Sequence, residues 1–143
     1  MLERTSRGFI LEGNMFESER LARKLFDSSA RGQQSENLEL LHPEVEIAPS
    51  YDTSITVSRA ELEAHLMSHE EPAVLGAVAH SYSPIDDERI IVEGQVLLRT
   101  PDRGFAYRSA AWALIFRDGL LYRSWCLASV HEAEVVLASF SRT

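Results

Sequence analysis

The chain has little cysteine, no long apolar run and no run of positive charge, and each shortage closes a class of function. One cysteine, Cys126, leaves no partner for an internal disulfide, and a lone thiol suits a reducing compartment. The expected location is the cytoplasm. No stretch approaches the roughly 20 apolar residues needed to span a bilayer. The opening residues Met1 to Gly8 also lack the apolar core of a secretory signal, so no membrane partner is expected. Fourteen basic residues stand against 22 acidic ones, a formal charge of −8. The nearest thing to a basic cluster is Arg20, Arg23 and Lys24, interleaved with Glu17 and Glu19. Phosphate contacts need local cations, so nucleic acid is not an expected partner. Gly-x-Ser-x-Gly, P-loop and dinucleotide glycine patterns are all missing, which disfavours nucleotide-dependent chemistry. No cofactor is expected.

What is present is a set of long, apolar-rich strands in the second half, separated by strong turn signals. Ile90 to Leu98 ends at Pro101-Asp102-Arg103-Gly104; Phe105 to Arg117 and Leu120 to Ala128 are joined by Asp118-Gly119. Asp-Gly between apolar runs signals a hairpin, because both central residues of a type I′ turn need positive φ. A further strand starts near Ala73. Ahead of these strands, Met15 to Ala30 carries apolar residues at helical period, with Asn14 as a plausible N-cap. Ser35 is placed to cap a short helix through Leu41, and Glu44 to Ala48 alternates as a short strand. Pro49 to Thr56 reads as a polar loop. Ser58 and Glu61 form a capping box for a helix running to His69 or Glu70. Ser129 is placed to cap a last helix, His131 to Phe140.

The 143 residues, 45% hydrophobic and 25% charged, suffice for one domain with its own core. Residues 1–14 read as a loose leader and 15–143 as the domain. Helices come early and the strand meander late, which predicts an α+β fold: a curved antiparallel sheet wrapped around the N-terminal helices, with a cone-shaped cavity between them.

Three strings occur in an order that resembles the NTF2-like superfamily, and within it the SnoaL-like proteins. They are Leu40-Leu41-His42-Pro43-Glu44-Val45-Glu46-Ile47, then Val57-Ser58-Arg59-Ala60-Glu61-Leu62, then Phe116-Arg117-Asp118-Gly119-Leu120-Leu121 followed by Ser129-Val130-His131-Glu132-Ala133. The resemblance spans about Met15 to Phe140. It implies a cone-shaped α+β roll, a small hydrophobic ligand and a homodimer joined through the outer sheet faces. It also implies either an isomerase-, cyclase- or hydratase-type enzyme using general acid–base chemistry, or a non-catalytic binding or assembly module with a largely filled cavity. The superfold hosts both.

The acid–base sets of such enzymes are only partly matched. The expected strands contain no aspartate, and Glu46 and Glu93 alternate with apolar residues toward water. Alternation places His80 and Tyr82 on one face, where they would serve as acid or base and as hydrogen-bond donor to an oxyanion. Asp52, in the loop after the first strand, is a further acid candidate, or else an ordinary turn aspartate. Tyr51, Trp112, Phe116 and Trp125 are candidate pocket walls, with Arg123 to recognise a carboxylate or enolate. His65 and His69 stand four apart on a helix, but the Glu of a His-Glu-x-x-His motif is missing and no metal site is expected. Cys126 is expected to behave as a small core hydrophobe.

Both faces of Phe105–Arg117 are apolar, so both must be buried. Trp112 and Phe116 are expected inward on the helices. Ala111 and Ala113 are expected at the interface with a second copy.

Overall fold

In the computed structural model, which describes residues 15–30, 38–48, 56–67 and 74–141, the meander forms as the turn chemistry requires. Strands β3 (Val74–Pro84), β4 (Arg89–Arg99), β5 (Phe105–Arg117) and β6 (Leu120–Leu127) pair antiparallel in sequence order. Asp118 and Gly119 adopt φ of 57° and 76°, the paired left-handed geometry of a type I′ hairpin. At the β4–β5 turn Arg103 takes φ of 67°, while Asp102 accepts hydrogen bonds from the Gly104 N–H at 3.1 Å and from the Thr100 hydroxyl.

The remaining elements are helix α1 (Glu17–Ala30), a 3-10 turn (Leu38–Leu40), β1 (Leu41–Ala48), β2 (Val57–Ser58), helix α2 (Arg59–Met67) and helix α3 (Val130–Ser141). Both expected caps are made. The Ser58 N–H donates to Glu61 Oε1 at 2.9 Å and the Glu61 N–H donates to Ser58 Oγ at 3.3 Å. The Glu132 N–H donates to Ser129 Oγ at 3.3 Å, and Glu132 reaches back to the Ala128 N–H at 3.1 Å. The expected leader 1–14, the Asn14 cap and Ser35 lie outside the described residues. Of the helix expected from Ser35 to Leu41, the described part is the 3-10 turn, which runs directly into β1.

The sheet order is β2-β1-β6-β5-β4-β3. It is curved and unclosed. It is also mixed rather than purely antiparallel, because β1 pairs parallel with β6, Glu46 opposite Arg123 and Ala48 opposite Trp125. No hairpin links these two strands, and the long intervening chain supplies the crossover that a parallel pair needs. Pro43 sits within the register shift between Leu41 and Glu46, where the missing N–H costs no ladder bond.

Residues Ala110 to Phe116 of β5 are all buried. On the inner face Ala110, Trp112, Leu114 and Phe116 pack with Leu21, Ala22 and Phe26 of α1. On the outer face Ala111, Ala113 and Ile115 pack with Ala133 and Leu137 of α3. This corrects the interface expected at Ala111 and Ala113. Their cover is the apolar stripe of the chain's own last helix, which must itself leave water and is tethered two residues from β6. Small side chains on that face let the helix approach closely.

A second irregularity lies in β3. The β3–β4 register slips between Ala79 (opposite Gly94) and Ser81 (opposite Glu93), so His80 is the extra residue of a bulge. Gly94 permits this close approach: a Cβ there would lie 1.9 Å from the Val78 carbonyl oxygen. Gly94→Ala is therefore expected to destabilise the fold at or beyond the upper end of the roughly 1–3 kcal/mol typical of overpacking. Gly76→Ala, at a position with nothing within 4 Å, should stay within about 0.5 kcal/mol of the parent. Urea midpoints of the two variants check the contrast.

Candidate functional site

The inner wall of the sheet, packed against α1, is the candidate site. Its floor is aromatic: Phe26 of α1 meets Trp112 of β5 edge-to-face, with centroids 4.9 Å apart, and Tyr82 of β3 at 6.3 Å. Such contacts each add about 0.5–1.5 kcal/mol beyond area burial. Around this floor stand half-buried apolar side chains, Leu25, Leu62, Ala77, Ala79 and Leu98, drawn from two helices and two strands. Arg108, exposed and in register opposite Val96, shares this face with Ala110 and Trp112.

Tyr82 is the polar tip of the wall. Burial pushes its hydroxyl pKa up, the Arg23 charge opposes that rise, and the Asp27 and Glu19 charges add to it. The Arg23 guanidinium lies 4.3 Å from the Tyr82 ring centroid. At neutral pH the group is a protonated hydrogen-bond donor.

The structure does not bring His80 and Tyr82 together. The bulge interrupts the alternation on which that pairing rested. Tyr82 packs with the inner cluster, whereas His80 is exposed and lines a recess of about 310 Å³ with Ser81, Glu93, Ser109 and Val130, beside the start of α3. Within it the Ser81 hydroxyl donates to Glu93 Oε1 at 3.3 Å. The signal that could have separated the two residues is Gly94, a glycine inside a strand pattern and a mark of a bulge or close backbone approach.

The other candidates divide between the faces. Trp112 and Phe116 lie inside, 7% and 4% exposed. Trp125 and Arg123 lie outside, which corrects their assignment to one pocket with Trp112. Trp125 packs edge-to-face on Phe140 of α3, centroids 5.6 Å apart. Arg123 donates to the Glu44 and Tyr122 carbonyl oxygens at 2.9 and 2.8 Å and lies 3.9 Å from the Tyr122 ring centroid. Its Nη1 ties β6 to β1 through the Glu44 carbonyl, and its Nε lies 3.8 Å from Glu46 of β1. Tyr51, Asp52 and His69 lie outside the described residues. Among the described residues no group of three metal-ligating side chains occurs.

The chain is similar in fold to solved structures. An NTF2-like protein of unknown function from Burkholderia pseudomallei superposes with a TM-score of 0.63 at 18% identity, over 82% of this chain and 95% of that one. The chain carries the NTF2-like fold. Two other structures of this fold match as well. A Mycobacterium tuberculosis protein in complex with estradiol-17β-hemisuccinate gives a TM-score of 0.65 at 9% identity, over 82% of this chain and 97% of that one. The Δ5-3-ketosteroid isomerase of a Mycobacterium species gives 0.64 at 12% identity, over 82% and 96%. No family model and no curated protein matches the sequence.

Within this NTF2-like fold the one thiol faces the inner cluster. Cys126 is 6% exposed, and burial pushes its pKa from 9.0 up to about 11. The folded state thus holds the thiol proton more tightly. That contribution to stability is complete below about pH 9 and disappears as pH rises toward 11. At pH 8, iodoacetamide should label native Cys126 about a hundredfold more slowly than the urea-unfolded chain, from the thiolate fractions alone. Mass spectrometry of timed aliquots checks the ratio; equal rates would show an open thiol.

Proposed function

We propose that this protein binds a small hydrophobic molecule against the inner wall of its sheet and performs no acid–base chemistry with the groups of that wall. The observation that carries the reading is the composition of the inner cluster. By register, the inward positions of β3 to β6 carry Tyr82, Arg108 and Ser124 as their polar groups and no aspartate, glutamate or histidine, while the acids whose charges reach Tyr82, Glu19 and Asp27, stand on α1. Apolar walls with a few polar tips suit ligands held mainly by desolvation. The steroid hemisuccinate bound by the similar mycobacterial protein supports the same ligand class.

The enzymatic alternative would draw its acid or base from Asp52 or His80. His80 faces the outer recess, which favours the non-catalytic reading. The reading keeps the protein in the cytoplasm, where its lone thiol stays reduced. It puts any homodimer contact on the part of the outer face beyond α3, where Val78, Phe105 and Tyr107 are 44%, 62% and 59% exposed.

Trp125→Phe leaves Trp112 as the sole tryptophan, a reporter on the inner wall. Titration with estradiol, as a representative rigid apolar ligand, should change Trp112 emission and raise the melting temperature. At a hundredfold excess over Kd the gain is about 2.7 kcal/mol. Leu98→Asp should abolish both effects while far-UV circular dichroism is retained. A panel of steroids, aromatic polyketides and terpenoids that moves neither signal would sink the proposal.

A further inference from the structure

On the outer face, at the end of the sheet away from His80, lies a hollow of about 550 Å³ between the β3–β4 loop and the last turn of α3. Its apolar surface comes from Ile115, Tyr122 and Phe140, and its charged groups are Glu88, Arg117 and an Arg89–Asp86 pair. These charges are not equivalent. Arg89 donates from Nε and Nη2 to Asp86 Oδ2 at 2.9 and 2.8 Å, so that pair is internally neutral. Arg117 has its guanidinium carbon 4.0 Å from the Tyr122 ring centroid. Among the described residues it has no hydrogen-bond acceptor and no ion-pair partner.

The same Tyr122 ring carries Arg123, 3.9 Å from its centroid. His42 lies edge-on at 5.1 Å, with its Nε2 3.8 Å from Asp118. Arg123 is committed to two carbonyls and to Glu46 at 3.8 Å. Arg117 is therefore held by ring stacking, its donors unspent among the described residues, at the edge of an aromatic-lined hollow. A planar guanidinium in that state matches a carboxylate. Glu88 on the same rim disfavours a second negative charge.

We infer that this hollow is a second binding site, for an apolar monocarboxylate whose hydrocarbon body rests on Ile115, Tyr122 and Phe140 and whose carboxylate is taken by Arg117. It lies on the opposite side of the sheet from the inner wall and does not depend on what binds there.

The probe is 2-naphthoate, with 2-naphthol as its uncharged counterpart and inorganic phosphate as a bare anion, titrated into the full chain with amide chemical shifts as readout. The expected result is that 2-naphthoate shifts the amides of Ile115, Arg117, Tyr122 and Phe140, while the other two probes do so weakly or not at all. Arg117→Gln should weaken 2-naphthoate by about tenfold, the loss of one charge-assisted contact. Glu88→Gln should strengthen it, and Leu98→Asp on the inner wall should leave it unchanged. The inference fails if no shifts occur at millimolar probe, or if they cluster on Trp112 and Leu98. Equal binding of 2-naphthol, or indifference to Arg117→Gln, would overturn it as well.

Discussion

The strand from Ala110 to Phe116 is apolar on both sides, and a sheet built around it has no face to give to water. The two sides differ in size. Trp112, Leu114 and Phe116 project toward α1, while Ala111, Ala113 and Ile115 meet α3. Large side chains hold α1 off the sheet and fill the gap they make. Small ones let α3 lie close, so that Ala113 and Ala133 are both fully buried. The sheet therefore stands off its helix on one side only, by the bulk of three residues on one strand. The start of α1 is pinned to the same sheet: the Glu17 N–H donates to Asp87 Oδ1 at 2.9 Å and the Ser18 hydroxyl to the Asp86 carbonyl at 2.6 Å.

Much of this was legible from local chemistry. Asp118-Gly119 fixed a hairpin because its φ angles are demanded by the turn. Ser58/Glu61 and Ser129/Glu132 marked helix starts because free backbone donors need those partners. The inward placement of Trp112 and Phe116 followed from alternation along an unbroken strand. Each of these rests on interactions a few residues apart in sequence, where the chain itself supplies the geometry.

What failed to be legible depends on contacts distant in sequence. Strict alternation puts His80 and Tyr82 on one face, a rule that a single bulge defeats. The bulge is specified by Gly94, on a different strand. The target of α3 was invisible for the same reason: the stripe Ala133, Val136, Leu137 and Phe140 says that a face is buried, not against what. Arg123 and Trp125 are pocket residues by type, yet the parallel pairing of β1 with β6 and the docking of α3 engage them in holding the fold together.

The two faces also differ in how they would pay for a ligand. On the inner side Phe26, Trp112 and Tyr82 already touch, so a guest must rest on the rim or part packed rings, and its affinity scales with apolar area removed from water, roughly 25 cal/mol per Å². On the outer side the hollow exists before any ligand arrives, and its distinguishing contact is one exposed guanidinium. Inner-wall binding should therefore tolerate salt and vary with ligand hydrophobicity. Outer binding should weaken as ionic strength shortens the Debye length below about 10 Å and vary with ligand charge. Alternate residues of one strand, Phe116 inward and Ile115 with Arg117 outward, thus give the same sheet two chemically separate surfaces.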